Sequence, residues 1–249
     1  MKGCNTIWLL GALLSFTSCA RHYSLADVKH ERIEVTDFWD VTPDSEAIRI
    51  VAPYKKSVDS LMSPVLGTSE VVMRPARPES LLSNFVADVL RDASAQIGAK
   101  ADMGLCNVGG LRSTMPKGNV TYGDVLEISP FENHLCVVTL MGEQLFELME
   151  QIAAVGGEGV SGVRLIITDN GELLSAEING KSIDKSKKYT IATLDYLAEG
   201  NDKMYALKKS VDKRTTKLSV RQLIMDAIKR ESAAGRSVTA KMEGRIVIK

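Results

Sequence analysis

The sequence predicts an α+β fold, a mixed sheet with flanking helices. Three observations carry this. Leu82, Phe85, Val86, Val89, Leu90, Ala93 and Ile97 recur at helical spacing, and so do Leu145, Leu148, Met149 and Ile152. Each set marks an amphipathic helix. Alternating runs at residues 163–168 and 173–178 flank Asp169-Asn170-Gly171, a hairpin signal. Apolar runs at residues 102–106 and 134–140 read as buried strands between these elements. Strands and helices that interleave with hairpins point to a mixed sheet.

The chain has 249 residues, enough for one large domain or two small ones with a real core. Its 31 Lys and Arg balance 31 Asp and Glu. That balance leaves no electrostatic footprint for nucleic acid or for an anionic membrane surface.

The first residues read as a targeting segment. Lys2 is followed by an apolar run at residues 7–14, too short for a membrane span of ~20 residues. Phe16-Thr17-Ser18-Cys19 then resembles a bacterial lipoprotein signal, with Phe16 where Leu is more usual. On that reading residues 1–19 are signal and Cys19 becomes the lipidated end of an exported, membrane-anchored protein. The site implied is a bacterial membrane, at the periplasmic or outer face of the outer membrane. The alternative is an ordinary secretory signal cleaved nearby, and either way the protein is exported. Cys106 and Cys136 then sit in an oxidising compartment that permits a disulfide, with two buried free thiols as the favoured alternative. No C-x-x-C occurs and His22, His30 and His134 are scattered, so no zinc site is expected.

Residues 20–40 read as a tether and 41–249 as the folded domain. Residues 32–37 alternate Ile33 and Val35 with charge, an edge-strand pattern. A helical pattern opens near Thr42-Pro43-Asp44-Ser45 and carries Ile48, Val51, Val58, Leu61 and Met62, with Pro53 expected to kink or break it. Residues 65–73 read as a strand. Pro78 is placed to start the first strong helix and Gly98 to end it. A second helix spans 142–155. Gly156-Gly157-Glu158-Gly159 reads as a flexible loop, and 195–205 as a polar loop after a strand at 189–193. A helix at 218–229 and a strand at 245–248 finish the chain.

The most suggestive stretch follows the strand at 102–106. Asn107-Val108-Gly109-Gly110-Leu111-Arg112 combines paired glycines, an amide and a guanidinium. Glycines let a ligand approach the backbone, and Arg suits phosphate or carboxylate. Alone this could be a tight turn bearing a surface Arg. It lacks the third glycine of a dinucleotide fingerprint and the Lys-Ser/Thr end of a P-loop.

Three further motifs follow in order: Gly118 to Asp124 with Val120-Thr121-Tyr122-Gly123, then Pro130-Phe131-Glu132-Asn133, then Tyr196-Leu197-Ala198-Glu199-Gly200-Asn201-Asp202. Together they resemble the C-terminal domain of the 5′-nucleotidase / UDP-sugar hydrolase family, from about Arg74 onward. The resemblance implies that family's layered architecture and a domain that recognises a nucleotide or nucleoside. It implies that Phe131 and Tyr196, the latter usually Phe, stack on the two faces of a base. It places Asp202 on the ribose hydroxyls, Asn107 and Arg112 near ribose and phosphate, with Gly109 and Gly110 between them. Asn133 falls beside base or sugar. Arg77 matches an arginine that reaches phosphate, with Arg74 as the alternative.

The chain departs from the family in two ways. Gly200-Asn201-Asp202 stands where the family usually has Gly-Gly-Asp-Gly. The family's two-metal phosphoesterase domain, N-terminal to this one, is not expected here, because residues 20–73 hold no Asp-x-His or Gly-Asn-His pattern. No catalytic residue and no metal are therefore expected in this chain. The expected role is the recognition half of a split hydrolase whose divalent metals sit on a separate metallophosphoesterase chain. A lipoprotein that captures nucleosides or nucleotides without catalysis is the main alternative. A third reading, new chemistry on the old scaffold, has only Cys106 as a nucleophile.

Overall fold

The computed structural model describes residues 26–249. The chain divides into two units, Met1–Ile50 and Val51–Lys249. The predicted signal and Cys19 lie outside the described residues.

In the first unit, residues 26–36 have no regular structure and Asp37–Val41 make a 3-10 turn. The strand expected at 32–37 does not form. Alternation supplies a strand only where a sheet edge can pair with it, and Ile33 and Val35 stand exposed. Helix α1 (Ser45–Met62), whose residues 51–62 are counted in the second unit, begins where the Asp44 carboxylate accepts the Glu46 and Ala47 amides. It runs through Pro53 without the expected break. No residue of it is buried, so the Arg49 carbonyl that Pro53 cannot bond lies on a turn open to water. Its apolar positions, including Ile48, Val51, Val58 and Leu61, are exposed rather than core.

In the second unit, β1 (Val65–Ser69) is shorter than expected and pairs antiparallel with β3 (Gly118–Thr121). Helix α2 (Leu81–Ala93) starts three residues after Pro78. The reason is a reciprocal cap: the Ser80 hydroxyl accepts the Ser83 amide and the Ser83 hydroxyl accepts the Ser80 amide. A 3-10 turn and Gly98, at φ +72°, end it. Helix α3 (Tyr122–Ile128) turns directly out of β3, capped by Thr121 and Asp124. Helix α4 (Gly142–Ala154) carries Leu145, Leu148, Met149 and Ile152 on its buried face.

The main sheet has five strands. They are β2 (Met103–Cys106), β4 (His134–Met141), β5 (Gly159–Ser161), β9 (Lys188–Leu194) and β10 (Asp212–Ser219), in the order β10-β4-β9-β2-β5. Only β2 and β9 run parallel; the other pairs are antiparallel. The expected hairpin forms from β6 (Val163–Ile167) and β7 (Leu173–Ile178), with Gly171 at φ +80° in its turn. With β8 (Lys181–Ser182) and β11 (Ile246–Ile248) it makes a second mixed sheet. Helix α5 (Asp195–Ala198) is one turn after β9, and α6 (Val220–Ala233) packs beside α2 and β1. Cys106 and Cys136 are both free and buried, the favoured alternative to a disulfide.

Helix α2 lies directly on β2. A Cβ at Gly104 would overlap the Ala87 carbonyl oxygen of α2, so the contact tolerates no side chain. Gly104→Ala is therefore expected to destabilise the fold by about 3 kcal/mol through overpacking. Urea unfolding of the two proteins measures this, and an unchanged midpoint would show that the helix can lift off the strand without loss.

Candidate functional site

Strand directions bring the predicted loops together. The C-terminal ends of parallel β2 and β9 and the N-terminal end of antiparallel β4 share one edge of the sheet, with Leu135 facing Leu194 in register. The Asn107 loop leaves β2 there, the Phe131 loop enters β4, and Tyr196 follows β9. These segments enclose a cavity of about 320 Å³ lined by Asn107, Gly109, Gly110, Phe131, Asn133, Tyr196 and Asp202. That volume lies at the small end of the range for small-molecule sites. Phe131 is 50% and Tyr196 41% exposed. Large rings left this open are available to a ligand, not committed to the core.

Polar contacts fix the walls. The Asn107 amide donates to one oxygen of Asp202 at 2.6 Å, and the Tyr196 hydroxyl donates to the other at 2.9 Å. Asn107 is only 7% exposed and its Oδ1 finds no partner in the protein. Asp195 accepts the amides of both His134 and Tyr196, tying the Phe131 side of the cavity to the Tyr196 side. The Arg221 guanidinium of α6 donates to the Ser129 and Pro130 carbonyls at 2.8 and 2.6 Å and holds the Phe131 loop from behind.

A larger depression of about 450 Å³ lies elsewhere, beside Asp88, Arg91 and Arg245. Its charges satisfy one another. Arg245 pairs with Asp88 and Glu243, and Arg91 donates to Asn179. Little capacity is left there for a ligand.

Residues 65–209 match the family described as "5′-nucleotidase, C-terminal domain". The chain belongs to this family. It is 26% identical over 240 residues to the cell wall protein Lmo0130 of Listeria monocytogenes, covering 84% of this chain and 30% of that one. It is 27% identical to the trifunctional nucleotide phosphoesterase YfkN of Bacillus subtilis, covering 81% of this chain and 15% of that protein. Its fold matches a 5′-nucleotidase precursor from Thermus thermophilus with TM-score 0.73 at 25% identity, over 84% of this chain and 44% of the other. This 5′-nucleotidase C-terminal domain thus spans less than half the length of the relatives it matches.

Two predicted residues of the domain stand outside the cavity lining. Arg112 is exposed and bonds back to the Gly109 carbonyl at 3.2 Å, at the rim of the same loop. Arg77 is bound to the scaffold through two of its nitrogens. It donates to the Gly157 carbonyl at 2.7 Å and pairs with Glu158. Arg74, the alternative, lines a separate depression with Val72 and Met242.

Glu158 was legible in the sequence only as an acid between glycines. Its side chain is 1% exposed, and it accepts the Val108 amide as well as the Arg77 guanidinium. It therefore supports the Asn107 loop from beneath. The surrounding glycines are not a flexible loop: Gly159 opens β5, and a Cβ there would overlap Cys106 Sγ. A Cβ at Gly157 (φ +105°) would overlap the Pro78 carbonyl. Cys106 itself is no nucleophile. Burial, with Glu158 and Asp88 nearby, pushes its thiol far above the ordinary value, so no thiolate is at hand.

Burial raises the Glu158 carboxyl above its ordinary 4.5, opposed by the Val108 amide and Arg77. A folded state that holds this proton more tightly than the unfolded chain is favoured most at low pH. That contribution fades as pH rises from about 4.5 through the raised folded value. The stability of wild type relative to Glu158→Gln is thus expected to fall with rising pH across that window. Thermal melts of both proteins between pH 4 and 8 check it, and a difference that grows with pH contradicts it.

Proposed function

We propose that this chain is the nucleotide- or nucleoside-recognition half of a 5′-nucleotidase-type hydrolase, exported and anchored through Cys19, which works with a separate metallophosphoesterase chain. The observation that carries the reading is one cavity with an aromatic ring from each of two loops and a tethered carboxylate beside them. Aromatic faces accept any base by stacking, worth about 1–3 kcal/mol per base. A carboxylate beside them suits sugar hydroxyls. Two backbone-exposing glycines in the lining leave room for a ligand to approach the chain.

The titratable side chains in the cavity lining, Tyr196 and Asp202, are bonded to each other, and no His, Cys or Lys is among the lining residues. The catalytic metals that the family implies have no fitting donor set among the described residues, where no group of three His, Cys, Asp or Glu side chains converges. The reading therefore assigns bond cleavage to the partner and binding, orientation and delivery to this chain. The name of the relative Lmo0130, a cell wall protein, supports export. Among the described residues no helix is long and apolar enough to cross a membrane, and the lipid on Cys19 would supply the anchor.

Calorimetric titration of adenosine, AMP and UMP into the purified chain tests the site. Saturable binding is expected for all three, with affinity falling at least tenfold in a Phe131→Ala, Tyr196→Ala double variant, as the loss of two stacking faces requires. Binding that survives the double variant places the ligand elsewhere. Phosphate release from AMP by the pure chain with added divalent metal would remove the need for a partner.

A further inference from the structure

We infer that Tyr196 is a specificity-determining positioning residue, whose hydroxyl fixes the Asp202 carboxylate so that the site prefers a vicinal diol and hence a ribonucleoside over its 2′-deoxy form. The inference rests on the recognition role proposed above. A phenylalanine would supply the same stacking face without this restraint.

A carboxylate has about four lone-pair positions on two oxygens. The protein fills one on each oxygen, with Asn107 on one and the Tyr196 hydroxyl on the other. One acceptor position remains on each oxygen, on a plane held at both ends. Two adjacent fixed acceptors match hydroxyls on neighbouring ring carbons. Asp202 is itself exposed, so without these donors its carboxylate would rotate freely in water and present no fixed pair. The backbone is held as well. Asp202 and Lys203 sit at φ +52° and +67°, and the Asn201 amide ties the loop to the Tyr196 carbonyl at 2.8 Å. A restrained acceptor pair gains selectivity because a ligand that lacks one hydroxyl leaves one acceptor unpaired.

The same bond orients the ring. With its hydroxyl held by Asp202, Tyr196 cannot swing its face away from the cavity. Hydrogen bonding to Asp202 also raises the phenol above its ordinary value. That shift provides a readout independent of any ligand.

The test compares adenosine with 2′-deoxyadenosine in calorimetric titrations of the purified wild-type chain, Tyr196→Phe and Asp202→Asn. Wild type is expected to favour adenosine by about tenfold, the loss of one hydrogen bond to a charged group. Tyr196→Phe should keep the affinity for 2′-deoxyadenosine within about twofold, since the ring remains, while the preference shrinks about fivefold. Asp202→Asn should lose the preference too. In parallel, ultraviolet titration of the tyrosines should show one phenol that ionises at lower pH in Asp202→Asn than in wild type. A preference unchanged in Tyr196→Phe overturns this inference and leaves the recognition role standing. A phenol titration unaffected by Asp202→Asn also overturns it. Wild type that binds neither nucleoside overturns the recognition role and this inference with it.

Discussion

The site depends on where β9 sits. It is the central strand of the main sheet, antiparallel to β4 on one side and parallel to β2 on the other. That one arrangement sends the exits of β9 and β2 and the entry of β4 to the same edge. Reverse either pairing and Tyr196 or Phe131 would emerge at the opposite edge, a strand's length away. The strand is held by burial on both faces: Ile191, Ala192, Thr193 and Leu194 are all buried, as a strand with neighbours on either side and layers above and below requires. The gathering of these loops around one cavity is thus inherited from packing deep in the sheet.

A second layer of support lies beneath the Asn107 loop. β5 runs antiparallel to β2 and pairs Gly159 with Cys106, which places Glu158 directly under Val108. A buried carboxylate is costly unless donors surround it. Here a backbone amide and a guanidinium do so. Removing one donor would leave an uncompensated buried charge, so the three groups act as a unit. Arg77 has a structural partner for that reason, a carboxylate eighty-one residues on.

What the sequence disclosed follows from which signals are local. The faces of α2 and α4 were legible because a buried stripe must repeat at helical spacing. The β6–β7 hairpin was legible through its turn. β10 was not, because Asp212, Lys213, Arg214 and Thr215 are polar and exposed at the sheet edge. Its strand character comes from backbone pairing with β4, which no side-chain pattern reports. α1 misled in the opposite direction, since an apolar periodicity shows that a face can be buried and not that a neighbour exists. The cavity residues were found through motif order rather than local chemistry. The geometry gathers seven of the nine around one space, while the two arginines bond to the scaffold. Arg221 and Glu158, which hold the loops from behind, carried no signal because their partners, main-chain groups and for Glu158 also Arg77, are distant in sequence.

The loop after α5 shows how such a site is kept in one shape. Left-handed backbone at Asp202 and Lys203 costs of order 1–3 kcal/mol for each such residue, least for Asp and more for Lys. Three side-chain bonds offset it: Asn107 and Tyr196 to Asp202, and Asn201 to Tyr196. At about 1 kcal/mol for a neutral bond and more for one to a charged group, these are of the same order as the strain. The loop is thus held near balance by residues that themselves line or border the cavity. Strain placed here, with its compensation drawn from residues that line the cavity, couples the position of the Asp202 carboxylate to the orientation of the Tyr196 ring. The asparagine that replaces the usual second glycine supplies one of those bonds, so the departure from the family pattern adds a restraint to the loop.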